Sequence, residues 1–146
     1  MIKYVNGDAT LPEGDGLKMI CHVNNNIGKW GKGFVMAVSK RWPETRTKFL
    51  ELGKWTLGDV QLIQVEDDII VANMIAQNGI GKPEKNRIDY DALTKCLKVV
   101  AEYAKTFNAK LHMPRIGCGL GGAPWPNIES IIQSTMHSLD ITIYDF

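Results

Sequence analysis

Four glycines fall within six residues in the segment Met113-Pro114-Arg115-Ile116-Gly117-Cys118-Gly119-Leu120-Gly121-Gly122. The segment follows an apolar run, residues 109–113, that predicts a buried strand. It precedes residues 127–138, whose isoleucines have helical spacing. Glycines at a strand-to-helix junction let backbone N–H groups approach a ligand beside a helix N-terminus, where phosphate can be held. A plain turn is the alternative interpretation of one such loop.

A second segment has the same arrangement. Residues 19–24 predict a strand, Asn25-Asn26-Ile27-Gly28-Lys29-Trp30-Gly31-Lys32-Gly33 follows, and a helix is expected over residues 34–42. Two glycine loops, each after a strand and before a helix, would lie at the same carboxyl edge of a parallel sheet. We name them the first glycine loop (residues 25–33) and the second glycine loop (residues 115–122). Their repetition favours a ligand crevice, and Lys29 and Lys32 favour an anionic ligand.

Size and composition predict one ordinary domain over residues 1–146. A hydrophobic content of 45% and a charged content of 23% are typical of globular chains, and a net charge of +1 argues against a broad polyanion-binding surface. Three cysteines without a Cys-x-x-Cys pair or a signal peptide predict reduced thiols and a cytoplasmic protein. A monomer is expected. No apolar run is long enough to predict a membrane span. The histidines are widely spaced, so no metal site is predicted.

Strand and helix patterns alternate along the chain, which predicts an α/β fold with a mixed sheet and helices on both faces. The predicted strands cover residues 2–5, 19–24, 60–65, 69–74, 110–113 and 141–144, and the predicted helices cover 34–42, 43–52, 89–107 and 127–138. The polar segment 77–86 is predicted to be a loop that faces the crevice.

Several familiar mechanisms do not fit the glycine loops. Gly117, Gly119 and Gly122 match G-x-G-x-x-G, but only residues 123–146 remain for the rest of a dinucleotide-binding unit, so NAD chemistry and a redox cofactor are not expected. A cysteine phosphatase needs arginine six positions after its cysteine, and neither Cys21 nor Cys118 has one. No cofactor of any kind is predicted.

Three positions admit two interpretations. Asp8, in Gly7-Asp8-Ala9-Thr10 after the first strand, either caps a turn or accepts an exocyclic amine of an adenine. His22 is either a hydrogen-bonded core residue or a proton-transfer group at the mouth of the first glycine loop. Cys118 is either a small packing residue or a thiol that lines the second loop. Trp30, which stands at a loop tip between glycines, is expected to lie outside the core, beside the ligand.

Taken in order, four motifs resemble a macro domain over essentially the whole chain. They are Gly7-Asp8-Ala9-Thr10, His22-x-x-Asn25-x-x-Gly28-x-x-Gly31-x-Gly33, Asn73-Met74-Ile75-Ala76-Gln77 and Pro114-Arg115-Ile116-Gly117-Cys118-Gly119-Leu120-Gly121-Gly122. The resemblance implies a three-layer α/β/α macro domain fold with a central mixed, mostly parallel sheet and a crevice for ADP-ribose. It is closest to small stand-alone microbial and phage members that process ADP-ribose 1″-phosphate.

The resemblance also implies roles for individual residues. Asp8 and Ala9, with Gly7, would contact the adenine, and Asn25 would orient the distal ribose. Beyond the resemblance, we predict that His22 acts as acid or base in the release of phosphate from ADP-ribose 1″-phosphate, with the loop N–H groups stabilising the developing charge. The diphosphate would lie between two walls, with Tyr90 or Trp125 covering one end of the ligand. The residues expected to form those walls and their surroundings are Gly28, Trp30, Gly31, Lys32, Gly33, Phe34, Gln77, Ile116, Gly117, Cys118, Gly119, Leu120 and Gly121.

Two departures keep other functions open. Members that resemble the terminal ADP-ribose glycohydrolase carry a lysine and an aspartate where this chain has Gln77 and Gly121, with Lys82 and Lys85 nearby. The alternatives to the phosphatase are a hydrolase of ADP-ribosyl groups on protein or nucleic acid and a non-enzymatic reader of ADP-ribose. Unmodified nucleic acid and membranes are not expected as partners.

Overall fold

The computed structural model describes residues 1–82 and 85–146. Pro83 and Glu84 of the predicted 77–86 loop lie outside the described residues. Within the described ranges the strands are β1 Ile2–Asn6, β2 Lys18–Asn25, β3 Val60–Glu66, β4 Ile69–Gln77, β5 Lys110–Pro114 and β6 Ile141–Asp145, and the helices are α1 Phe34–Arg41, α2 Pro43–Glu51, α3 Tyr90–Phe107 and α4 Trp125–Met136.

The described strands form one sheet in the order β1-β6-β5-β2-β4-β3. Every neighbouring pair is parallel except β3 and β4, which pair antiparallel through the short turn between them. The carboxyl ends of β1, β6, β5, β2 and β4 therefore share one edge. The predicted α/β/α fold with a mixed, mostly parallel sheet is confirmed.

Helices cover both faces of the sheet. On one face, α3 and α4 bury apolar residues such as Leu97 and Ile132 against Leu111 of β5. On the other face, α1 and α2 contribute Val38 and Phe49, which pack with residues of β2 and β4. Burial on both faces makes β4 apolar almost throughout, as expected for a central strand. In the described parts of the chain, none of the helices has the length and apolar character that crossing a membrane requires.

Two predicted elements, α4 and β4, differ from the structure by more than one residue at an end. Helix α4 begins at Trp125 and ends at Met136, rather than running from residue 127 to residue 138. Pro124 and Pro126 stand at its start, where an absent N–H removes no intrahelical hydrogen bond. Strand β4 continues from Met74 to Gln77, because its last residues still pair with the end of β2.

Candidate functional site

The two glycine loops both line one cavity of about 1300 Å³. They meet because β2 and β5 are parallel neighbours in the sheet. The cavity lining includes most of the predicted site residues, namely His22, Asn25, Gly28, Trp30, Gly31, Lys32, Gly33, Phe34, Gln77, Ile116, Gly117, Gly119, Leu120 and Gly121. From the predicted 77–86 loop, Ile80, Gly81 and Lys82 also line it.

The charges around the cavity are all of one sign. Its lining contains Lys29, Lys32, Arg46, Lys82 and Arg115, and no acidic residue among those described. Arg115 is ion-paired with Asp145 at 2.6 Å, whereas the other four take part in none of the salt bridges found in the described residues. A chain with a net charge of only +1 thus concentrates positive charge at this cavity, which favours an anionic ligand.

Asn25 organises the first glycine loop through its own side chain. Its Oδ1 accepts from the backbone N–H groups of Ile27 at 3.2 Å and Lys29 at 3.0 Å, and its Nδ2 donates to the Lys29 carbonyl at 2.8 Å. One N–H of the amide is left for a ligand. The loop also needs glycine at residue 28, because φ is +78° there and a Cβ would lie 1.7 Å from the Gly53 carbonyl oxygen.

The second glycine loop is packed on one side and open on the other. A Cβ at Gly121 would lie 2.6 Å from the Gly117 carbonyl oxygen and 2.7 Å from Ile88, so this residue is held against the protein. At Gly119, as at Gly31 in the first loop, a Cβ would meet no described atom within 4 Å. The backbone at these two glycines is therefore bare toward open space, as an anion-binding loop requires.

His22 lies at the base of the cavity and is 2% exposed. Its Nε2 is hydrogen-bonded to Asn73 Oδ1, and the Asn73 amide nitrogen donates to Gln61 at 3.0 Å. Because Asn73 Oδ1 can only accept, the proton resides on Nε2 and Nδ1 carries a lone pair. Burial lowers the pKa of His22 to about 4 despite this hydrogen bond. At neutral pH the ring can accept a proton but has no second proton to donate.

The expectation that Trp30 lies outside the core is wrong. The residue is 5% exposed, and its ring packs at centroid distances of 5.4 Å on Phe49 and 5.7 Å on His22. Phe49 comes from α2, so the apolar partner that buries Trp30 is supplied by a distant part of the chain. Trp30 still lines the cavity, but as part of its wall and not as a surface aromatic.

Gly7, Asp8, Ala9 and Cys118 do not line the cavity. Asp8 Oδ1 accepts two hydrogen bonds from Thr10, one from its backbone N–H at 2.8 Å and one from its hydroxyl at 2.7 Å. This is the turn-capping arrangement. Asp8 nevertheless follows β1 at the same sheet edge, so its contact with adenine stays a prediction. Burial raises the pKa of Cys118, which favours its interpretation as a packing residue.

Tyr90 and Trp125, the two aromatic residues expected to cover one end of the ligand, do not line the cavity either. The Tyr90 hydroxyl accepts from Asn86 and Asn127, and Trp125 donates to the Tyr4 hydroxyl at 3.0 Å. Lys82 lines the cavity and Lys85 does not. Among the described residues, no group of three or more His, Cys, Asp or Glu side chains is placed to hold a metal ion.

The cavity residues that sequence reasoning missed include two polar ones, Asn24 and Arg46. Asn24 shares a face of β2 with His22, because side chains two apart on a strand point the same way. Strand alternation could therefore have found it. Arg46 comes from α2 and has no local signal in the sequence that links it to the glycine loops.

The chain is similar in fold and sequence to a solved structure described as a macrodomain protein from Streptomyces coelicolor. The two are 40% identical, with a TM-score of 0.88, and the match covers 100% of this chain and 99% of the other. No family model matches the chain.

Curated relatives include a chromodomain-helicase-DNA-binding protein 1-like of Mus musculus, which is 31% identical over 98% of this chain. The chain spans only 17% of the length of that mouse protein. An ADP-ribose 1″-phosphate phosphatase of Lodderomyces elongisporus is 25% identical over 98% of this chain and 97% of its own length. A human ADP-ribose glycohydrolase is 26% identical over 97% of this chain and 88% of its own length.

Proposed function

Because the chain belongs to the macrodomain family, we propose that it binds ADP-ribose in the cavity between the two glycine loops and removes phosphate from ADP-ribose 1″-phosphate. The observation that carries the proposal is the cavity itself. Its lining contains both glycine loops, with open backbone at Gly31 and Gly119, several basic side chains and, among the described residues, no acidic one. Those features match a diphosphate flanked by uncharged groups.

The curated relatives support the reaction class. The Lodderomyces phosphatase and this chain match along nearly their whole lengths, so the likeness is not confined to one motif. In the proposed reaction a water oxygen attacks phosphorus, the bond from phosphorus to the 1″ oxygen breaks, and ADP-ribose and inorganic phosphate leave. The loop N–H groups and basic side chains stabilise the charge that develops.

His22 is the proposed proton acceptor from the attacking water. Its Nδ1 lone pair and its position in the cavity lining suit that role, although a pKa near 4 makes it a weak base. Asn25 fixes the loop that orients the substrate. A non-enzymatic reader of ADP-ribose is the second candidate, favoured by the Gln77 side chain, which donates to the Gly79 carbonyl at 2.9 Å within its own loop.

The binding part of the proposal is tested by calorimetric titration with ADP-ribose. We expect one site, weakened about 5-fold by Arg46→Gln because a charge-assisted contact is lost. Lys48→Gln is the matched control, since Lys48 is an exposed cation on the same helix that does not line the cavity. Absence of heat with ADP-ribose at millimolar concentration would contradict the proposed function.

Catalysis is tested in parallel by phosphate release from ADP-ribose 1″-phosphate. We expect the parent to release phosphate, and His22→Ala to release it at least about 100-fold more slowly. Equal rates in the parent and His22→Ala would remove His22 from the mechanism. Tight binding of ADP-ribose with no release by the parent would select the reader. Activity on ADP-ribosylated protein instead would select the ADP-ribosyl hydrolase.

A further inference from the structure

Three polar side chains stand in one row across three adjacent strands of the sheet. His22 of β2 is the register partner of Asn73 on β4, and Asn73 is in turn the register partner of Gln61 on β3. The side chains are hydrogen-bonded along the row, with Asn73 Oδ1 bonded to His22 Nε2 and Asn73 Nδ2 donating to Gln61 Oε1 at 3.0 Å. We name these three residues the polar row.

The polar row crosses an otherwise apolar surface. Its neighbours on the same face of β2 and β4 include Ile20, Val71 and Ile75, which belong to the core beneath α1 and α2. Asn73 has no exposed surface and is the one polar residue within the buried run 69–76. A valine or isoleucine there would pack without the cost of burying an amide. The amide therefore points to a role in its two hydrogen bonds and not in packing.

An amide in such a row can hold its two ends in either order. With Oδ1 toward His22, as in the structure, the ring donates from Nε2 and its Nδ1 keeps a lone pair. With Nδ2 toward His22, Nε2 would accept and Nδ1 would carry the proton instead. His22 lines the cavity, and its Nδ1 is buried without a partner among the described residues. The order of the Asn73 amide therefore decides whether this atom is a proton acceptor or a donor.

Gln61 contacts the end of the Asn73 amide that His22 does not. It lies on β3, the strand at the edge of the sheet, where it is partly buried, and it does not line the cavity. While Gln61 Oε1 faces Asn73, the amide nitrogen of Asn73 turns toward it and the amide oxygen is left for His22. The orientation of the Gln61 side chain thus reaches the cavity through two hydrogen bonds.

Resting on the proposed function, we propose that Gln61 is a positioning residue of the reaction, because its side-chain oxygen holds the Asn73 amide in the order that keeps a lone pair on His22 Nδ1. That lone pair is the proposed acceptor of the proton from the attacking water. The steps of the reaction stay as described, and Gln61 keeps His22 in the tautomer that can begin them.

The tautomer of His22 is measured without substrate, from the nitrogen chemical shifts of its ring in ¹⁵N-labelled protein at neutral pH. The His22 signals are those that His22→Ala lacks. We expect the parent to carry its proton on Nε2, and Gln61→Glu to keep this tautomer because a carboxylate also accepts from Asn73. Gln61→Met removes the acceptor, so the two orders of the Asn73 amide become comparable in free energy. Roughly half of the rings are then expected to carry the proton on Nδ1.

Gln64 provides the matched control, because it is an exposed glutamine on the same strand whose amide nitrogen donates to the Asp67 carbonyl at 3.3 Å. Gln64→Glu and Gln64→Met are expected to show the parent tautomer. A single parent-like tautomer in Gln61→Met would overturn the proposal. So would the same change in Gln64→Met, or a parent protein in which Nδ1 carries the proton.

Phosphate release from ADP-ribose 1″-phosphate connects the tautomer with the reaction. Across the parent and the variants, kcat is expected to follow the fraction of rings with a lone pair on Nδ1, so it falls about 2-fold in Gln61→Met. Parent-like kcat in Gln61→Met despite a changed tautomer would overturn the role of Gln61, as would equal losses in Gln61→Met and Gln61→Glu. No release by the parent would refute the proposed function, and the tautomers measured without substrate would still test the link from Gln61 to His22.

Discussion

Gly31 and Gly119 differ from the other glycines of the two loops in the space beside them. A Cβ at either would meet no described atom within 4 Å, and neither residue has a left-handed backbone. Nothing within the described protein therefore requires glycine at these positions. A ligand in contact with the backbone would supply the missing reason, since a methyl group would occupy the space that the ligand needs.

We predict that Gly31→Ala and Gly119→Ala fold normally and bind ADP-ribose poorly. Their free energy of unfolding is expected to match or exceed the parent value by up to about 1 kcal/mol, because alanine restricts the unfolded chain. Affinity for ADP-ribose is expected to fall about 10-fold, because the methyl group keeps the ligand from the backbone. Denaturant unfolding and calorimetric titration measure the two effects.

Gly28→Ala provides the opposite pattern. Its Cβ would lie 1.7 Å from the Gly53 carbonyl oxygen at a φ of +78°. We expect this variant to lose more than about 2 kcal/mol of stability. Parent-like ADP-ribose affinity in both Gly31→Ala and Gly119→Ala would show that the ligand does not touch these loops.

The predicted site residues that line the cavity belong to local sequence patterns. A glycine after a strand exposes its backbone whatever the fold of the rest of the chain. The exposed backbone at Gly31 and Gly119 was therefore predictable. Trp30 was not, because its burial depends on Phe49, which reaches it from α2. The engagement of the Asn25 amide was hidden as well, since it depends on how the loop closes.

At the scale of elements, helix α3 begins beside the second glycine loop. Asp89 is its N-cap, and the carboxylate accepts from the Ala92 backbone N–H at 2.9 Å. The preceding residue, Ile88, lies beside Gly117 and Gly121 and forms an isolated bridge with Gln77. The start of α3 therefore also fixes the side of the loop that faces the protein.

We predict that Asp89→Ala lowers the free energy of unfolding by about 1 kcal/mol, because an N–H at the helix start loses its acceptor. Asp89→Asn is expected to stay near the parent, since asparagine caps as well as aspartate. Glu102→Ala, at an exposed position of the same helix, is expected to change stability by less than about 0.5 kcal/mol. Urea unfolding of the three variants measures this, and equal losses in Asp89→Ala and Asp89→Asn would refute the capping role.

Element positions were largely predictable because apolar periodicity and turn residues are local signals. The 18-residue helix α3 was recognised from one continuous apolar face, and it begins within one residue of the predicted start. The end of β4 was missed because hydrogen bonding to β2 extends it past Met74. The start of α4 was missed because proline disrupts most helical positions, whereas the first turn of α4 accommodates Pro126 and its N-cap is Pro124.

At the scale of the whole molecule, two histidines, His22 and His112, are buried. Both lie on the face of the sheet that α1 and the loop after β1 cover. His22 lies beneath the cavity, and His112 of β5 is hydrogen-bonded through Nδ1 to the Tyr144 hydroxyl at 2.8 Å. Burial lowers the pKa of each to about 4, and for His112 the nearby Lys18, Lys110 and Lys3 lower it further. The ordinary pKa of histidine is 6.5.

The pH dependence of stability follows from these values. Between about pH 6.5 and pH 4 the unfolded chain binds protons at both histidines and the native protein does not, so acidification favours unfolding. This loss of stability is absent above about pH 6.5 and complete below about pH 4. Lys18 lowers the pKa of Asp68 below 3.8, and Arg115 does the same for Asp145. These two carboxylates therefore change the stability only at lower pH.

We predict that the free energy of unfolding falls by about 2 kcal/mol per buried histidine between about pH 7 and pH 5, from 1.36 kcal/mol per pKa unit. Urea titrations at the two pH values measure the loss. His112→Phe keeps a ring of similar size, removes one titrating group and should lose about half as much stability on acidification as the parent. His137→Gln is the matched control, because His137 is exposed after α4 and its removal should leave the loss unchanged. A parent-sized loss in His112→Phe would mean that His112 is not a source of the acid sensitivity.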